Sequence, residues 1–275
     1  MSANNVTQQL AHVAGVVRSW IAANWDTKTA AVSAAATAAG VALVCLWNSD
    51  FARQYYTNKL LGIGLEYDRL MTKRKRQQLS ELESVKDARG DGRLIIVEIG
   101  CGGGTNLKYY PTGSEIICVE PNGLYEETLY DTARQHPGLQ ISAFLISSAE
   151  NMREVESESV DAVISTVVLC SVGDPNQCLK EIIRVLKPGG EFFFMEHVMA
   201  PRQFYIIRFF QVLLDFLRVW PMMYDGCHLT RSTEDNIRKS GFSSVDVEEF
   251  EAHELMPMGG PVRLVRSHIS GTATK

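Results

Sequence analysis

Residues 94–106, Leu-Ile-Ile-Val-Glu-Ile-Gly-Cys-Gly-Gly-Gly-Thr-Asn, constrain the fold of this chain more than any other stretch. The apolar, β-branched start reads as a buried parallel strand. It runs into a glycine-dense turn. Glycine reaches positive φ and carries no Cβ, so a ligand can lie against the backbone there. About twenty residues after the first glycine, a second apolar run over 115–122 ends in an acid, Glu120. A strand, a glycine turn, a helix and a second strand tipped with an acid make a ribose site in an open α/β sheet.

The spacing distinguishes between nucleotides. A dinucleotide turn reads G-x-G-x-x-G and presents a helix N-terminus to a pyrophosphate. Counted from Gly100, the second glycine is Gly102, but Thr105 takes the third place. What stands instead is Glu98-x-Gly100-x-Gly102-x-Gly104. This resembles the E/D-x-G-x-G-x-G pattern of class I S-adenosylmethionine-dependent methyltransferases, whose nucleoside has no pyrophosphate. Three more segments fit the same template. Residues 141–151 read as a third strand followed by Ala149-Glu150, and 159–172 as a fourth strand with its loop. Residues 179–191 read as a helix stopped by Pro188-Gly189-Gly190, ahead of a fifth strand over 192–198. The resemblance implies an α/β, Rossmann-like fold: a seven-stranded, mostly parallel sheet with helices on both faces. Strands six and seven are expected near 245–250 and 264–270. The domain is expected over 51–275, with its core at 92–198 and a cap at 199–240.

At 275 residues and 45% hydrophobic content the chain can bury one sizeable core. A net charge of −5 excludes a general nucleic-acid binder. The basic run at 69–76 lacks the interleaved aromatics that base stacking needs, so it reads as a solvated helix face. Six cysteines show no C-x-x-C and no paired metal spacing, so no metal ligand set is assigned. Several lie inside apolar strands and act as small hydrophobes, which suits a reducing compartment.

Two stretches point to a membrane. Residues 29–49 carry no charge and are alanine-rich. A helix of that length spans roughly 30 Å, the thickness of the hydrocarbon layer. Basic residues are sparse before it (Arg18, Lys28) and denser after it (Arg53, Lys59, Arg69 and 73–76), which places the catalytic domain in the cytosol. Residues 1–50 are expected to form a membrane-associated helical segment; a soluble alanine-rich helix over 29–49 packed on the domain is the other reading. Residues 204–220 carry only Arg208, Gln211, Asp215 and Arg218 as strongly polar positions, in one narrow helical stripe. Such a helix lies in a membrane interface, covers an apolar substrate cavity, or belongs to the core.

With the ends included, the chain resembles one family: membrane-anchored methyltransferase-like proteins of the endoplasmic reticulum and lipid droplets, whose vertebrate members methylate thiols. The resemblance is carried by the 98–104 motif, Val168-Leu-Cys-Ser-Val172, Phe194-Met-Glu-His-Val198, Asp225-Gly-Cys-His-Leu-Thr-Arg231 and Arg266-Ser-His-Ile-Ser-Gly271. It implies S-adenosylmethionine as cofactor and a small thiol or lipophilic acceptor, with a membrane or lipid-droplet surface as partner and no nucleic acid. In that frame Glu98 fixes the glycine turn or meets the methionine amino group. Gly100, Gly102 and Gly104 admit the cofactor, and Glu120 takes the ribose hydroxyls. Asn122, Ala149 and Glu150 flank the adenine, and Leu169 lies by the methionine part. For catalysis the candidates are His197, at the carboxyl end of strand five, and Asp225 with His228. A loop-holding His197, and an Asp225 that caps the helix starting at 230–233, are the alternatives. Cys170 and Cys227 are placed at the pocket wall. A methyltransferase acting on a lipid or quinone-like oxygen or nitrogen, and a non-catalytic membrane protein that keeps the fold, also remain open.

Overall fold

The apolar run at 94–99 forms β1 (Leu94–Ile99), the strand around which the sheet is ordered. In this computed structural model, residues 11–19, 50–90 and 92–275 are described. The remaining strands are β2 (Ser114–Val119), β3 (Gln140–Leu145), β4 (Val160–Thr166), β5 (Leu186–His197), β6 (Ser244–Glu251) and β7 (Ser267–Thr274). Their order across the sheet is β3-β2-β1-β4-β5-β7-β6. Strands β1 to β5 pair in parallel, and β7 lies antiparallel between β5 and β6. The order reverses direction at β1, where β2 lies on one side and β4 on the other. That switch point is where open α/β sheets bind ligands.

Alternation along the strands divides the core between two faces. Val97 and Ile99 of β1 pack with Phe192, Phe194, Leu179 and Ile182. Leu94 and Ile96 point the other way and pack with Phe193, Leu79, Leu82 and Leu129. The first face is covered by α4 (Pro175–Val185), which begins with Pro175 and is capped by Asp174, whose carboxylate accepts the Asn176 and Gln177 N–H groups. Its buried positions, Pro175, Cys178, Leu179, Ile182 and Val185, follow a helical stripe. The second face receives the end of α1 (Asp50–Leu79), α2 (Leu82–Arg89) and α3 (Glu126–Ala133).

Three expectations shift. The helix before β5 ends at Val185, and the strand is already paired at Leu186. Pro188-Gly189-Gly190 therefore sits inside the start of the strand, where the register jumps from Val160↔Leu186 to Ala162↔Glu191. The last strand starts at Ser267 rather than 264, because Gly259 and Gly260 take positive φ and, with Pro261, wind a short 3-10 turn over Gly260–Leu264. Residues 204–220 do not form one helix. They give α5 (Tyr205–Phe216) and α6 (Val219–Met223), separated at Arg218 by a left-handed φ of 56°.

The chain divides into two compact units, Met1–Tyr56 and Thr57–Lys275. In the first, residues 11–19 are helical. The expected membrane stretch 29–49 lies outside the described residues. Among those described, no helix is long and apolar enough to cross a membrane.

Candidate functional site

A cavity of about 560 Å³ opens beyond the carboxyl ends of β1, β2, β4 and β5. Leu60, Leu61 and Tyr67 of α1 form one wall. The glycine turn forms another. Gly100 leaves β1 with φ +60°, its N–H donating to Val119 O at 2.8 Å. A Cβ on Gly100 would come within 2.5 Å of Val168 Cγ2, so the turn is wedged against the loop after β4. Gly102, at φ +50°, is different: a Cβ there would meet nothing within 4 Å. Its backbone faces open space at the cavity wall. Gly104 is not among the lining residues, since it packs against Leu129 and Leu107.

Glu120, at the tip of β2, is 6% exposed and lines the cavity. Its Oε2 accepts the Gly102 N–H and its Oε1 accepts the Asn122 N–H, both at 3.0 Å. A carboxylate has about four acceptor positions, so two remain for a ligand. Burial pushes its pKa up, and the Asp225 carboxylate adds to the rise. Glu98, at the end of β1, is also buried at the cavity wall. Its Oε1 accepts the Asn106 amide at 2.8 Å, while Oε2 has no hydrogen-bond partner. Burial raises its pKa to about 7. Behind it a charge cluster ties α1 to the turn after β1: Asp68 accepts from Lys75 at 2.7 Å, from Lys108 and from Tyr109.

The opposite end is built from side chains. Cys227 lies in the turn after α6, and His197 closes β5. His197 Nε2 and Cys227 Sγ are 3.0 Å apart, and Trp220 Nε1 donates to the same sulfur at 3.3 Å. A hydrogen bond from Cys170, with the charge and hydrogen bond of His197, lowers the Cys227 pKa to about 4. Burial alone would lower the His197 pKa, but neighbouring Cys227 and Glu196 raise it. His268 stands beside them with the opposite character. Its Nδ1 faces the Arg266 carbonyl at 3.1 Å, which only a protonated nitrogen satisfies, so Nε2 accepts from Tyr67 Oη at 3.1 Å. Burial lowers its pKa to about 3, so it is neutral.

The loop after β4 joins the two ends. Val167 takes φ +57°, a strained position for a β-branched residue. It is held by its N–H to Met195 O at 2.8 Å and by buried Glu196, whose Oε1 accepts from Ser165 Oγ at 2.6 Å and Val168 N at 3.1 Å.

Of the residues expected from the sequence, Glu98, Gly100, Gly102, Glu120, Ala149, Glu150, His197 and Asp225 all line this one cavity. Glu150 accepts from Ser148, Gly173 and Asp174. Asn122, Leu169 and His228 are not among the lining residues. Asn122 caps the turn after β2 through Leu124 N and donates to Thr57. Leu169 is buried in the core, and the neighbouring Cys170 reaches the cavity instead. His228 points toward Asp215 at 3.5 Å, beside a separate surface depression. Asp225 caps no helix, since α7 (Thr233–Lys239) is preceded by Ser232. Sequence reasoning missed Tyr67, Glu196, Trp220 and His268. An acid next to a strand-end histidine was the one visible signal, at Glu196.

Residues 97–194 match the family described as "Methyltransferase domain". Thiol S-methyltransferase TMT1A of Homo sapiens is 36% identical over 230 residues, covering 84% of this chain and 89% of that protein. Thiol S-methyltransferase TMT1B of Rattus norvegicus is 34% identical over 236 residues, covering 86% and 91%. The human TMT1B is 32% identical over the same span and the same shares. The chain therefore belongs to the thiol S-methyltransferase family, within the S-adenosylmethionine-dependent methyltransferases.

Proposed function

We propose that this protein transfers a methyl group to the sulfur of small or alkyl thiols at a membrane surface. The observation that carries the reading is a single cavity. It joins the Glu98–Gly102–Glu120 turn to an apolar compartment ending in His197, Cys227 and Trp220.

The residues present fit the cofactor. Glu120 keeps acceptor positions for two ribose hydroxyls, and Gly102 lets the nucleoside reach the backbone. The unpartnered Oε2 of Glu98 suits the ammonium of the methionine part. Ala149 and Glu150 border the adenine end. When bound, S-adenosylmethionine supplies a methyl group on a cationic sulfur, so it carries the electrophilic part of the chemistry. What remains for the chain is to align the acceptor, exclude water and favour its thiolate. A free thiol has a pKa of about 8.5, so a modest bias toward the anion suffices. His197 stands at the acceptor end for that purpose, and Asp225 lines the same cavity as a candidate base.

Membrane association rests on the uncharged stretch 29–49, on the basic run after it, and on α5. Arg208, Gln211 and Asp215 turn inward, bonding Ala200, Leu264, Leu229 and Thr230. The outward face carries Tyr205, Ile206, Phe209, Phe210 and Phe216, the last 82% exposed. An apolar face of this kind suits insertion at a lipid interface. The endoplasmic reticulum or lipid-droplet surface, with the catalytic domain in the cytosol, is the location consistent with the family resemblance and the flanking charges.

The test is methyl transfer from labelled S-adenosylmethionine to a small alkyl thiol by the membrane-bound protein, with Glu120→Ala as control. Thiol methylation lost in the variant is expected. Cofactor binding without thiol methylation would move the acceptor to a lipid or quinone-like oxygen or nitrogen.

A further inference from the structure

We propose that Cys170, His197 and Cys227 form a three-ligand site for zinc, whose open fourth position takes the sulfur of the acceptor. The three come from distant segments: the loop after β4, the end of β5 and the turn after α6. One ligand atom from each lies within 4.8 Å of the others. All three side chains are buried, and all three line the cavity. Zinc with two thiolates and an imidazole holds neighbouring ligand atoms about 3.5–3.8 Å apart, so small side-chain adjustments close the set. Two sulfurs and a nitrogen select a soft or borderline metal over magnesium or calcium.

The surroundings fit a metal-bound thiolate. Trp220 Nε1 points a donor at Cys227 Sγ, the kind of outer bond that supports a ligating sulfur. No fourth cysteine, histidine or carboxylate joins the group among the described residues. Three protein ligands with one position left open is the pattern of a catalytic zinc rather than a structural one. Here the open side is the cavity.

The role of that position rests on the thiol reading above. A thiol entering it loses its S–H bond, its sulfur lone pair forms the metal–sulfur bond, and the proton passes to water at the cavity mouth. No oxidation state changes. The acceptor is then held as a thiolate at neutral pH. A thioether product has no proton to lose and no anionic sulfur, so it is a weaker ligand and departs.

The full-length protein, purified in detergent, is assayed for bound zinc and then exchanged with cobalt(II) as the spectroscopic probe. About one zinc per chain is expected, with sulfur-to-cobalt charge-transfer absorption and the visible bands of tetrahedral cobalt. Both should vanish in Cys170→Ser/Cys227→Ser and weaken in His197→Ala, while cofactor binding confirms that the variants are folded. Adding a small alkyl thiol should shift the visible bands. Absent zinc and absent cobalt bands in a protein that binds cofactor would overturn the proposal. So would a Cys170–Cys227 disulfide that blocks alkylation until reduced. Cobalt bands unmoved by a thiol that the enzyme methylates would overturn the role of the open position. Cobalt bands in a protein that methylates no thiol would sustain the metal site and sink the thiol reading instead.

Discussion

The two ends of the cavity are made of different materials. The nucleotide end is largely local: the glycine turn at 100–103 and the two strand-end carboxylates Glu98 and Glu120, joined by Ala149 and Glu150. The acceptor end is side chain throughout, gathered from α1, the loop after β4, the end of β5, the turn after α6 and β7. A glycine turn depends on φ values and on space for the main chain, so few sequences satisfy it. A side-chain site depends on which elements meet, and its residues can change one at a time. This suits a shared cofactor paired with a variable acceptor.

Changes at each end test that division. The largest effect is expected at Gly100. Alanine there meets Val168 at 2.5 Å and takes a left-handed φ, which together cost about 4 kcal/mol of stability. Gly102→Ala has the same backbone problem without the clash and should cost about 1 kcal/mol, while still impeding the cofactor. Thermal unfolding of the two variants separates packing from backbone strain. Glu120→Ala comes next. Losing two charge-assisted bonds should weaken cofactor binding about 100-fold by calorimetry, with the fold intact.

Glu98 gives a pH signature. Its pKa rises from 4.5 unfolded to about 7 folded, so the folded state holds the proton more tightly. Stability therefore falls as pH rises from 4.5 to 7, by up to about 3 kcal/mol from this group, and is flat above. Glu98→Gln keeps the acceptor for Asn106 and removes the titration. It should gain about 2 kcal/mol at pH 8 and flatten urea midpoints across that window, at the expense of cofactor affinity. The smallest effect on stability belongs to Phe216→Asp on the exposed face of α5. It should move unfolding by less than about 0.5 kcal/mol, yet reduce sedimentation with phospholipid vesicles. Unchanged vesicle binding would remove α5 from the membrane contact.

The nucleotide end was legible because its signals are local. An apolar strand, glycines at fixed offsets and an acid at the next strand tip all fall in one window, and they fix the sheet's switch point as well. Gly104, in that motif, and Leu169, in the run after the fourth strand, serve packing, which spacing cannot distinguish from ligand contact. At the acceptor end, Cys170, His197 and Cys227 lie about 30 residues apart, a separation no metal-ligand spacing rule covers. Only the crossing of β4, β5 and the turn after α6 brings them together. His268 and Tyr67 meet from 201 positions apart for the same reason. The stripe on 204–220 was visible too, but periodicity alone does not say which side faces inward. In this protein Arg208, Gln211 and Asp215 do, because they find backbone partners there, while Arg218 is exposed at the break after α5.

Those partners are main-chain atoms apart from Thr230 Oγ1 and the His228 imidazole beside Asp215. Arg208 reaches the Ala200 carbonyl, Gln211 bridges Ala200 N and the Leu264 carbonyl, and Asp215 receives the Leu229 and Thr230 amides. A helix moored to peptide groups keeps its polar anchors when neighbouring side chains change. Leu214 of this helix packs in the cluster that holds Cys170, Trp220, Cys227, Leu264 and Val265, so α5 is joined to the acceptor wall by apolar contact as well. A change at Leu264 or Val265 therefore reaches α5 through that apolar contact, while the helix's backbone anchors stay in place.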